Sequence, residues 1–345
     1  LRNPLKKGED YTLELRVVEQ TLTAKLNEEV LGTATDAALS IPRFGVFCVA
    51  NASDPTPALV KSIELLDLDL SPSPTPPVSK SSVATATKDA PFINTLGMKF
   101  VPVPITGGPT DGQRVLFSIW PTRVQDYAAF AKAQEAAGKK VNGGRDFQQK
   151  DGVPTGRELD HPVVSVSWED AQAFCAWLTE KETTEGKLPK GAKYRLPTDA
   201  EWSTAVGLPP ENGSTPEEKN GKNDVDFPWG NEWPPKGKVG NYADESFHEK
   251  FPVKPNAQTN KDDHLWMQGY TDGYATTAPV GNFPANAYGL HDMGGNVWQW
   301  CEDWFNKSQA SRVMRGASWN SHLRNSLRSS NRYDSAVTAR RSNYC

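Results

Sequence analysis

From Gly207 to Gly289 the chain is dominated by Gly, Pro, Asn, Asp and aromatic residues, and neither a helical nor a strand period runs through it. This stretch limits the fold more than any other feature. A plain loop of that length is out of place in a compact domain. A disordered tail would have no use for Phe227, Trp229, Trp233, Tyr242, Trp266, Tyr270 and Tyr274. The segment is expected to fold by packing rings and fixing Asp, Asn and backbone carbonyl groups around them. Bound metal ions are one way to satisfy those groups.

The sequence before it carries ordinary signals. GMKFVPVP reads as a strand, and VLFSIWPTRVQDYAAFAKAQEAAG as a strand feeding a helix, with Thr122 as its cap and Val124, Tyr127, Phe130 and Ala131 as its apolar stripe. In HPVVSVSWEDAQAFCAWLTEKE, Ser167 and Asp170 form a shortened capping box. Trp168, Ala171, Phe174, Cys175 and Leu178 then recur at helical spacing. Thr198 caps a further short helix. Cys175 reads as a packed small hydrophobe and not as a nucleophile, and the Trp298 and Trp300 stripe reads as core.

Residues 1–70 alternate apolar and polar through Leu13, Leu15, Val17, Leu22 and Ala24, with a turn at Asn27 and Glu28, and FGVFCVA and VKSIELLDLDL add two strands. Residues 71–90 hold SPSPTPPVSKSSVATATKD, whose Pro, Ser and Thr cannot form a core and predict a linker. The main domain is expected over 91–345. The net charge of -4 gives no global case for nucleic acid as a partner. No run of apolar residues is long enough to span a membrane, so membrane insertion is not expected. No signal peptide is visible, and the chain is expected to be soluble. A start at Leu1 reads as processing or as a fragment of a longer protein.

Cys48, Cys175, Cys301 and Cys345 show no metal-ligand spacing and are too few for a disulfide scaffold. They are either free and mostly buried, or one bridge joins Cys301 or Cys175 to Cys345.

GMKFVPVP, HPVVSVSWEDAQAFCAWL, YRLPTDAEWSTA, FPWGN, GNYAD, DGYATTAPVGNFPANAYGLHDMGGNVWQWCEDWF and RVMRGASW occur in the order seen in the formylglycine-generating enzyme family, also called the sulfatase-modifying factor family. The chain resembles that family from Pro91 to Cys345. The resemblance implies an α+β fold, a variant of the C-type lectin fold with much irregular structure, here preceded by a small all-β segment. That segment is similar to the end of a laminin-G-like jelly roll. Such modules accompany these domains in large bacterial proteins, so a bacterial, multidomain parent is expected.

Members that make formylglycine oxidise a peptide cysteine with molecular oxygen, using two cysteines that take copper. The resemblance lays those positions on Ser321 and Ser326. A hydroxyl is neither a soft ligand nor a redox centre, so no copper is expected and the chain leans away from being an enzyme. The alternative is a formylglycine-generating-type oxidoreductase or another enzyme of altered chemistry. A Ser321 and His322 hydrolase pair lacks a third orienting group. The related iron-dependent sulfoxide synthases need a three-histidine helical domain that is missing here.

The resemblance further implies a structural calcium on Asn241, Tyr242, Asp272 and Tyr274, all oxygen donors of the hard kind. A second site, over Asp292, Met293, Gly294, Asn296, Val297 and Gln299, is weakened where the family's glutamate is glutamine. The segment RGASWNSHLRNSLRSSNR, Arg315 to Arg332, falls at the family's substrate groove. Trp319, Asn320, Ser321, His322, Arg324, Asn325, Ser326, Arg328, Tyr333 and Asn343 are its candidate ligand-binding residues. For Arg315, Trp319 and Arg328 a role in internal ion pairs or core weighs equally. The same inventory resembles the variable proteins of diversity-generating retroelements, which display a changeable binding surface on this fold. The function expected is a noncatalytic ligand-binding module for a peptide or protein.

Overall fold

The alternation seen in the sequence produces an antiparallel meander of β1 (Leu13–Val18), β2 (Thr21–Leu26) and β3 (Glu29–Thr35). Its register sets Leu13 opposite Leu26, Leu15 opposite Ala24 and Val17 opposite Leu22. The computed structural model describes residues 13–18, 21–26, 29–35, 82–139, 141, 158–222, 226–252 and 266–345. The turn at Asn27 and Glu28, the two later strands and most of the expected linker lie outside the described residues. The chain divides into two units, Leu1–Thr75 and Pro76–Cys345.

The second unit is α+β. It opens with a three-stranded antiparallel sheet of β4 (Phe92–Ile93), β5 (Lys99–Pro104) and β6 (Arg114–Ser118). Ala86, from the end of the stretch expected as linker, is buried against this part, and the Arg114 guanidinium donates to the Val83 carbonyl at 2.9 Å.

Helix α1 (Val124–Ala136) buries Val124, Tyr127 and Phe130, as its stripe predicts. Its cap is Arg123 and not Thr122: Asp126 accepts from the Arg123 backbone N–H at 3.0 Å and from its guanidinium at 2.9 Å. Helix α2 (Trp168–Thr184) has the expected capping box. Ser167 Oγ accepts from the Asp170 N–H at 3.2 Å, and the Asp170 carboxylate accepts from the Ser167 N–H at 2.9 Å. Phe174 packs on Tyr127 and Phe130 with ring centroids 5.8 and 5.9 Å apart, joining the two helices to the sheet. Each such buried ring contributes roughly 1.5–3 kcal/mol.

Helix α3 (Asp199–Val206) is closed by Thr198 and Glu201 in the same way. The irregular stretch contains two short helices that its composition did not predict, α4 (Pro216–Lys219) and α5 (Glu245–Lys250). Its rings do pack: Phe227 stacks on Trp229 at 4.7 Å, Trp229 meets Tyr242 edge-on at 5.3 Å, and Tyr242 contacts Tyr270 at 6.3 Å. A final antiparallel sheet holds β7 (Gln299–Trp304), β8 (Arg312–Arg315) and β9 (Tyr333–Ser335). Trp298 and Trp300 are buried, as the core reading had it.

Cys175, Cys301 and Cys345 are free thiols, so the bridge alternative falls for these three. Among the described residues no helix is long and apolar enough to cross a membrane.

Candidate functional site

Between β8 and β9 the chain leaves the sheet at Arg315 and returns at Tyr333, and buried arginines hold that loop. Arg315 is fully buried and pairs with Asp199 at the start of α3. Its other guanidinium nitrogens donate to the carbonyls of Asn331 (3.1 Å) and Ser329 (2.8 Å). Its guanidinium also lies over the Trp202 ring at 4.3 Å. Arg332 grips the same carboxylate and reaches Glu211. Burial alone would push the Asp199 carboxyl up, but the two guanidinium groups outweigh it and hold the group below its ordinary value.

On this frame Asn320, Ser321, His322, Ser326, Tyr333 and Asn343 line one cavity of about 660 Å³. Ser165, Trp298, Leu323, Arg340, Arg341, Ser342 and Tyr344 complete the wall. The polar groups are tied to one another. Asn343 Nδ2 donates to Asn320 Oδ1 at 2.9 Å, Ser318 Oγ donates to the same oxygen at 2.8 Å, and the Ser318 N–H donates to Ser321 Oγ at 3.2 Å. Tyr333 leans on Trp298 at 5.3 Å. No aspartate or glutamate is in the wall. Arg340 is held from outside by Asp170, with bonds of 2.7 and 2.9 Å, while Arg341 is exposed above the Tyr344 ring at 6.0 Å.

The remaining candidates fall elsewhere. Trp319 is buried with its ring beside Phe247 at 6.0 Å, and its Nε1 donates to the Ser342 carbonyl at 3.2 Å. It supports the cavity floor from behind. Arg324 is exposed over Phe227 and Trp233, at 5.9 and 5.8 Å. Asn325 is exposed and Arg328 half-buried, both outside the wall. The sequence reading missed Arg340, Arg341 and Tyr344, although an arginine pair and a tyrosine close to Asn343 were a usable signal. Ser165 gave none: it is brought in by a positive φ of 59° and by donating its N–H to the Arg341 carbonyl at 2.9 Å.

The expected calcium finds no support. Asn241, Tyr242, Asp272 and Tyr274 do meet, but as a hydrogen-bonded knot. The Asp272 carboxylate accepts from the N–H groups of Tyr242 (2.9 Å) and Tyr274 (2.7 Å). Asn241 Nδ2 donates to the Thr276 carbonyl at 2.6 Å, and the Lys238 ammonium already sits on the Asp272 carbonyl at 2.7 Å. Asn241 Oδ1 makes no hydrogen bond. At the second site Gln299 is consumed by Trp202 (3.0 Å) and by the Asp292 carbonyl (2.6 Å). Calcium is therefore unsupported. Among the described residues the one group of His, Cys, Asp or Glu with metal-holding geometry is Glu158, Asp160 and His161.

An α+β domain whose largest part is ring-packed irregular chain, and whose last sheet frames a polar cavity, defines the structural class. The chain belongs to the sulfatase-modifying factor family: the model of the sulfatase-modifying factor enzyme 1-like domain matches residues 115–344. It is 34% identical over 160 residues to the formylglycine-generating enzyme of Thermomonospora curvata, covering 45% of this chain and 39% of that protein. It is also 34% identical over 164 residues to the protein named inactive C-alpha-formylglycine-generating enzyme 2 of Bos taurus, covering 47% and 40%. The chain thus spans about two fifths of the length of these relatives. A solved structure, Treponema denticola variable protein 1, is similar at 17% identity with a TM-score of 0.44, covering 72% of this chain and 92% of that one.

Two consequences follow. The family holds both enzymes and members named inactive. With serine at 321 and 326, where the resemblance implies the cysteine pair, this supports a noncatalytic assignment. The exclusion of copper, however, is withdrawn: the chain's similarity is to formylglycine-generating enzymes, the members for which the resemblance implies copper.

Proposed function

We propose that this chain is a noncatalytic recognition module that binds a peptide or protein segment in the cavity between β8, β9 and the chain end. The observation that carries the reading is the convergence of Asn320, Ser321, His322, Ser326, Tyr333 and Asn343 on one polar cavity of about 660 Å³. A volume of this order suits a few side chains of a ligand. Arg341 and the absence of acidic wall residues favour a segment rich in carboxylates or other acceptors. Lectin-like closure of the domain and retroelement diversification of this surface belong to the same proposal. So do a jelly-roll origin for the first unit and a larger bacterial parent.

The test is a mass-spectrometric assay of a cysteine-containing peptide incubated with the protein, copper and oxygen, beside the double variant Ser321→Cys, Ser326→Cys. Unchanged peptide that nevertheless binds, with binding lost in Asn320→Ala, supports recognition. Formylglycine made by the unaltered protein overturns it.

A further inference from the structure

Outside the cavity, one group of side chains is arranged for chemistry that the recognition reading does not use. We propose that Glu158, Asp160 and His161 form a site for a divalent transition-metal ion of the zinc kind.

His161 is only 7% exposed. Its Nδ1 lies 3.0 Å from the Thr277 hydroxyl. Where Nδ1 donates to that hydroxyl, the lone pair sits on Nε2, the tautomer in which an imidazole serves as a metal ligand. Nε2 is buried and makes no hydrogen bond, yet it lies 2.6 Å from Glu158 Oε2. With a protonated imidazole that contact is an ion pair; in the neutral tautomer the two acceptors repel, and a cation bound beside them, with a small opening of the pair by the exposed Glu158 side chain, relieves the repulsion. The Asp160 carboxylate also converges, with all three ligand atoms within 4.8 Å of one another.

The three residues are held before any ion arrives. The Val124 and Gln125 N–H groups donate to the carbonyls of His161 (2.9 Å) and Leu159 (3.1 Å), and the Val280 N–H donates to that of Asp160 (2.9 Å). The donor set then selects the ion. One imidazole nitrogen and two carboxylate oxygens suit zinc and its neighbours and fall short of the all-oxygen shell of calcium. The Glu158 side chain is 70% exposed, so water completes the coordination.

The experiment is calorimetric titration of the chelator-treated full chain with Zn²⁺, with Co²⁺ absorption as a second readout. Variants are Asp160→Asn, Thr277→Val and His161→Gln, and folding is checked by circular dichroism. The proposal expects one Zn²⁺ per chain. Affinity falls at least about tenfold in Asp160→Asn, and by roughly tenfold in Thr277→Val, the scale on which outer partners act. Asp160 is exposed, so its variant stays informative if the buried His161→Gln misfolds. A folded chain that takes up no Zn²⁺, or that binds it equally well in Asp160→Asn, overturns the site.

Discussion

Arg332 meets Asp199 through two parallel bonds, Nε to Oδ1 and Nη2 to Oδ2, both 2.9 Å, and with Arg315 it ties the loop before β9 to the first turn of α3. The cavity wall depends on that tie, because Ser321, His322 and Ser326 sit on the loop it closes.

Asp199→Asn therefore acts on stability first. It leaves Arg315 buried without its charge partner and Arg332 with Glu211 alone, at a cost of about 3–5 kcal/mol. Urea denaturation should show the loss, and any ligand binding should weaken with it.

Acid should act on the same residues. The carboxyls of Asp199 and Glu201 are both held below their ordinary values of 3.8 and 4.5. In each, burial pushes up but is outweighed, by Arg315 and Arg332 for Asp199 and by Arg195 for Glu201. The stability they contribute is present above those ordinary values and is lost as pH falls through the lower folded ones. Melting temperatures measured downward from pH 5 should fall steeply, and Asp199→Asn should flatten that slope.

Trp319→Ala and Asn320→Ala should separate core from surface. The first removes a buried indole and should cost about 3–5 kcal/mol. The second changes an exposed side chain and should leave the melting temperature within a degree or two while lowering peptide affinity. Equal loss of stability in both would place Asn320 in the framework.

Gly295→Ala should be poorly tolerated. Its φ is +80°, and an added Cβ would stand 2.3 Å from the Asn241 carbonyl oxygen. Strain and clash together should exceed about 1 kcal/mol, read as a drop in denaturation midpoint.

The thiols should be inert in the folded protein. Burial pushes Cys175 and Cys345 up to about 12 and Cys301 well above its ordinary value, so thiolate is scarce at pH 8. Peptide mapping after brief iodoacetamide treatment should find these three unmodified until denaturant is added.

The sequence by itself determined the local events. The Ser167 and Thr198 caps, the Val124, Tyr127 and Phe130 stripe and the alternating β1 and β2 each depend on neighbours a few positions apart. It also showed serine at 321 and 326, and a ring-rich segment that had to pack. Only the tertiary structure decided what those groups face. It sent Trp319 inward against Phe247 and brought Ser165 beside Arg341. It also turned the Asn241 side-chain amide N–H and the Asp272 carboxylate upon nearby backbone groups. Hydrogen bonds and burial between distant segments leave no periodic trace in the chain, so a side chain's chemistry can be read from sequence while its partner cannot.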